Sequence, residues 1–143
     1  MPPPYVQVAT FCERVAHNDG NMSIVSCISN VRATPPRGAV RPPGAVLAVS
    51  IAPLTLAVSL WGDGIGGDYV VSVRPKSPSR QELPPDVNPV VFNPETAGID
   101  LTLQYPIPLT ETGLYWFDVF VSGPDGEERL VTRVPLMITP VDA

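Results

Sequence analysis

The stretch Glu111-Thr112-Gly113-Leu114-Tyr115-Trp116-Phe117 constrains this chain more than any other. An acidic residue, a Gly two positions on, a Tyr two later and a large apolar residue two further have the spacing of a tyrosine corner. In that device the chain turns into a strand of a β-sandwich, and the buried Tyr hydroxyl bonds back to backbone a few residues upstream. Phe117 takes the place of the core Cys usual in that device. Glu111, Gly113, Tyr115 and Phe117 are therefore structural candidates, and they speak to architecture rather than chemistry.

The rest of the chain is punctuated as that architecture requires. Nineteen prolines and eleven glycines in 143 residues, with no long helix-period stretch, predict short extended segments joined by tight turns. A hydrophobic fraction of 44% against 16% charged residues excludes general disorder, and the length fits one domain over residues 1–143. The net charge of −5 argues against nucleic acid, because neutralising phosphates takes a dense basic face. Met1-Pro2-Pro3-Pro4-Tyr5 has no basic or apolar leader character, which gives the cytoplasm as the expected location. Residues 44–61 hold no Lys, Arg, Asp or Glu, but Pro53 divides the run and Ser50, Thr55 and Ser59 interrupt it. It reads as a long buried strand with a bend, not a membrane span.

Residues 5–15 and 22–32 flank Asn18-Asp19-Gly20-Asn21. Asp19-Gly20 suits a two-residue type I′ turn, whose twist matches paired strands. In that register residues whose numbers sum to 39 face each other, so Cys12 lies opposite Cys27. The expected state of the two thiols is buried and reduced. Residues 33–44, with four prolines, form an extended Pro-rich loop. Further strands are predicted at 54–61, 69–74, 90–92, 99–105, 114–121 and 129–138, with Pro124-Asp125-Gly126 as another hairpin turn. About seven to eight strands at this spacing predict an all-β, antiparallel, immunoglobulin-like sandwich.

Three segments also carry a resemblance: Tyr5-Val-Gln-Val-Ala-Thr-Phe-Cys-Glu-Arg-Val with its Asp-Gly hairpin, Pro-Leu-Thr-Leu-Ala-Val-Ser-Leu from Pro53 to Leu60, and Gly113-Leu-Tyr-Trp-Phe-Asp-Val. Together the chain resembles an uncharacterised bacterial family of short immunoglobulin-like β-sandwich proteins. The resemblance implies a fold and brings no catalytic residue, ligand or cofactor with it.

Motifs that could carry chemistry have plainer readings. Gly62-Asp63-Gly64-Ile65-Gly66-Gly67 matches the dinucleotide fingerprint, but the alternating Asp68-Tyr-Val-Val-Ser-Val follows where a helix is needed. His17 is the only histidine. Five residues along a strand put it on the face opposite Cys12, away from a nucleophile–base pair. One His and two Cys leave a structural zinc site short of its usual ligands. Pro75-Lys76-Ser77-Pro78, which fits P-x-x-P, is read as a loop, and Asn21-Met22-Ser23, which fits the glycosylation acceptor pattern, as a chance match. No cofactor and no metal site is expected.

Charge is laid out unevenly. If alternate loops emerge at the same end, one end carries Asp19, Asp63, Asp68, Glu95, Asp125, Glu127 and Glu128, and the other Arg32, Arg37, Arg41, Arg74, Lys76 and Arg80, diluted by Glu82, Asp86 and Glu111. Three functions follow. The favoured one is a non-catalytic protein-interaction or structural module, binding a protein partner or a second copy through loops and edge strands. Its candidate contacts are Arg37, Arg41, Arg74, Lys76, Arg80 and Trp116. The alternatives are a calcium or small-molecule binder at the acidic loops and a hydrolase built around Asp118 and Glu111.

Overall fold

Alternating apolar residues and turn residues produce an all-β chain, with no helix among the described residues. The computed structural model describes residues 2–19, 21–33, 49–50, 54–95, 98–105, 108–109 and 112–140. Gly20, Glu111 and most of the Pro-rich segment lie outside them. The strands are β1 (Tyr5–Asn18), β2 (Asn21–Ile28), β3 (Asn30–Ala33), β4 (Val49–Ser50), β5 (Leu54–Trp61), β6 (Gly67–Lys76), β7 (Asp86–Phe92), β8 (Gly98–Tyr105), β9 (Pro108–Leu109), β10 (Gly113–Ser122) and β11 (Glu128–Pro140). A four-stranded sheet has the order β2-β1-β5-β8, a five-stranded sheet the order β3-β11-β10-β6-β7, and β4 pairs with β9.

The two larger sheets share one core, as in a β-sandwich. Phe11, Leu56, Val58 and Leu60 from the first pack with Val71, Val73, Phe117, Val119 and Leu136 from the second. Phe11 and Phe117 meet edge to face with centroids 4.7 Å apart, a favoured geometry for aromatic pairs. Tyr115 is 1% exposed within this core. Gly113, two residues before it, has a φ of 126° and would press a Cβ to 3.0 Å from Pro78, so the position requires glycine.

The Asp19 hairpin forms in the expected register. Asn18 pairs with Asn21, His17 with Met22 and Cys12 with Cys27, and Asp19 takes a φ of 51°. Three expectations are corrected. Residues 22–32 are not one strand: the chain leaves the first sheet at Ser29, whose carbonyl accepts from Met137 N–H at 2.9 Å, and enters the second as β3. There it lies parallel to β11, so the sheets are not wholly antiparallel. The partners are more than a hundred residues apart, and no hairpin rule governs their direction. In addition, Cys27 is exposed while Cys12 is buried, and both thiols are free.

Beyond Cys12 the β1–β2 arm departs from the sheet. The Glu13/Ser26 pair drops out of the register, and Ser26 adopts a φ of 57°, a local break that bends paired strands. Asn21, Met22 and Ile24 then line one recess with Val8, Ser59 and Trp61. The arm therefore turns over the outward face of the four-stranded sheet.

Candidate binding face

Strand β10 alternates as its sequence demands: Tyr115, Phe117 and Val119 are buried inward, while Trp116, Asp118 and Phe120 point outward from the five-stranded sheet. Its neighbours β6 and β11 decide what those three residues meet. Arg74 and Arg133 lie opposite Asp118, and Lys76 and Pro135 opposite Trp116.

Asp118 is only 3% exposed although it faces outward. Arg133 Nε donates to its Oδ1 at 2.8 Å, and Lys76 Nζ lies 3.3 Å from its Oδ2. Each oxygen thus has a cation, which offsets the cost of taking the carboxylate out of water. Both cations keep 40% or more of their side chains exposed. The Arg133 guanidinium stands 4.6 Å from the Trp116 ring centre, and that of Arg74 4.3 Å from the Phe120 ring centre. These are cation–π distances. Asp118 therefore acts as an anchor that holds Arg133 and Lys76 beside Trp116. Both its oxygens are engaged by cations, a poor arrangement for a general base.

The turn after β6 completes the rim. Ser77 N–H bonds to the Gln81 carbonyl at 3.0 Å, Arg80 N–H to the Ser77 carbonyl at 2.9 Å, and Leu83 N–H to the Pro75 carbonyl at 3.0 Å. Gln81 N–H also bonds to Ser77 Oγ at 3.1 Å. Inside this closed turn Arg80 is held at a φ of 66°, a left-handed conformation that costs a non-glycine residue about 1–2 kcal/mol. Arg80, Lys76, Arg133 and Trp116 line one open recess of about 700 Å³. Lys76 also borders a second, of about 350 Å³, with Arg74, Leu83, Asp118 and Phe120.

Of the six contact residues proposed from sequence, Lys76, Arg80 and Trp116 are brought together and Arg74 stands beside them. Arg37 and Arg41 lie outside the described residues. Arg74 corrects the two-pole picture: it projects from mid-sheet and ion-pairs with Glu128, from the supposed acidic end. Arg133 was not foreseen. Pro75-Lys76-Ser77-Pro78 is built into the fold, with Pro75 and Ser77 buried.

Exposed apolar side chains extend the face. Register places Val87 and Val91 of β7, and Leu130 and Met137 of β11, on the same outward surface. These are four of the seven large apolar residues exposed among the described residues.

The other motifs stay structural. Gly62 and Gly66 pack on Phe92 and Pro94, Gly64 and Gly67 take positive φ, and strand β6 follows directly. There is no helix N-terminus to hold a pyrophosphate. The loops bearing Asp63, Glu95 and Asp125 gather at one end, with Ile65, Tyr69 and Pro124 bordering a groove walled by Pro2, Pro3 and Pro4. Among the described residues no three His, Cys, Asp or Glu side chains converge on a point that would hold a metal, and no helix is long and apolar enough to cross a membrane. No protein-family model and no curated protein matches this chain.

Proposed function

We propose that this chain is a non-catalytic protein-binding module, an immunoglobulin-like β-sandwich that docks an acidic protein partner on the outward face of its five-stranded sheet. One observation carries the reading: Trp116 sits among three cations, Arg133, Lys76 and Arg80, two of them fixed by a buried carboxylate, within a surface that also exposes Val87, Val91, Leu130 and Met137. Aromatic and arginine side chains in apolar surroundings are the residues on which binding energy concentrates. The strained φ of Arg80 supports the same reading, because backbone strain gathers where a side chain is positioned for use. The immunoglobulin-like assignment draws on the buried Tyr115, the shared core and the resemblance of the three sequence segments. The expected setting remains the cytoplasm.

The test is affinity capture of the tagged chain from extracts of its source cells, at low and at moderate salt, read by mass spectrometry. A stoichiometric acidic protein, weakened by salt, is expected. Recovery of the chain with no stoichiometric partner in any fraction, and as a monomer, counts against a binding module.

A further inference from the structure

Cys12 and Cys27 face each other across the β1–β2 ladder, one pair before the break at Glu13 and Ser26. Directly opposite residues of antiparallel strands have Cα atoms about 4.5–5.5 Å apart, inside the roughly 4.4–6.8 Å that a disulfide spans. Facing side chains also project to the same side of a sheet, so a bridge between them needs no change of register. The two thiols differ in access: Cys27 is exposed and Cys12 fully buried. That asymmetry separates a sulfur open to an oxidant from one held behind it.

We infer that Cys12 and Cys27 form a reversible oxidation site, in which hydrogen peroxide oxidises Cys27 and Cys12 closes the disulfide. The Cys27 thiolate attacks a peroxide oxygen, the O–O bond breaks, and the departing hydroxide takes a proton to become water. Cys27 is then a sulfenic acid. Cys12 gives up its proton and attacks the Cys27 sulfur, the S–O bond breaks, and a second water leaves. Two thiols are oxidised to one disulfide as one peroxide is reduced to two waters. Burial, and next the neighbouring Cys27, push the Cys12 thiol above its ordinary range, which leaves the exposed Cys27 as the sulfur that meets the oxidant first. The exposed edge of the bridge keeps it open to reduction. The bridge ties together the base of the arm that turns over Ser59 and Trp61.

The experiment treats the folded, full-length protein with hydrogen peroxide, follows intact mass, and then digests without reduction. Trypsin cleaves after Arg14, between the two cysteines, and after Arg32. The expected product is a monomer lighter by two hydrogens, whose digest joins the peptide ending at Arg14 to peptide 15–32, with reversal by a dithiol. Cys27→Ser should leave Cys12 untouched by peroxide, and Cys12→Ser should carry Cys27 on to higher oxides. The inference is overturned if wild-type Cys27 accumulates two or three oxygens while Cys12 stays alkylatable. It is equally overturned if Cys27-linked dimers are the main product, or if Cys12 oxidises as fast in Cys27→Ser as in wild type.

Discussion

Arg133 donates to Asp118 across the β10–β11 ladder, Nε to Oδ1 at 2.8 Å, while its guanidinium carbon stands 4.6 Å from the centre of the Trp116 ring. A bulge makes this contact. Val121 pairs with Arg129 and Phe120 with Leu130, but Val119 then pairs with Thr132, so Asp118 meets Arg133. Without the extra residue Thr132 would face the carboxylate, and Arg133 would be turned away from it.

Asp118→Ala should therefore disturb the whole face. Both cations reach water, so the loss should be about 1–2 kcal/mol, below the roughly 3–5 kcal/mol of a fully buried broken pair. Denaturant titration measures it. An unchanged midpoint would mean that the carboxylate anchors nothing.

Arg80→Gly should separate stability from binding. Glycine adopts the φ of 66° found at Arg80 without strain, so stability should hold or rise by up to about 1 kcal/mol. Partner binding should weaken. A variant that melts earlier would show that the Arg80 side chain supports the turn.

Three glycines should rank by what a Cβ would strike. At Gly98 it would come within 2.2 Å of the Leu60 carbonyl oxygen, at Gly113 within 3.0 Å of Pro78 at a φ of 126°, and at Gly126 it would meet nothing within 4 Å. Alanine should therefore cost most at Gly98, where β8 must shift off β5, and least at Gly126, where the left-handed φ alone contributes about 1–2 kcal/mol. A reversed order on thermal or chemical unfolding would contradict the local packing.

The Cys12 thiol gives a pH dependence of definite sign. Its proton is held more tightly in the folded protein, so its contribution is fully present below the ordinary thiol range of about 8.5. Above that range the unfolded chain loses its proton first, and stability falls as pH rises further. Cys12→Ala should be less stable throughout and should flatten this alkaline decline. Parallel slopes would remove Cys12 as its source.

Local chemistry made part of this legible beforehand. Asp19-Gly20 set the turn, and the turn set the register that put Cys12 opposite Cys27. Alternation along residues 114–121 correctly assigned Tyr115, Phe117 and Val119 to one face, and Trp116, Asp118 and Phe120 to the other. What stayed hidden depends on partners distant in sequence. The crossing at Ser29 is fixed by Met137, and the bend of the arm by Ser26, neither of which interrupts the apolar pattern. The first part of β7, residues 86–89, was missed because Pro89 breaks the strand signal, yet an edge strand accepts it. Arg133 could have been found only by placing a bulge in β11, for which residues 128–133 give no marker.

The most direct measurement compares capture of the partner by wild type with capture by two folded variants. One is Trp116→Ala combined with Arg80→Glu, on the proposed face, and the other is Asp125→Lys combined with Glu127→Lys, at the acidic end. The account predicts loss of the partner with the first pair and retention with the second, at comparable melting temperatures. Retention with the first pair and loss with the second would move the binding site to the acidic loops and contradict the account.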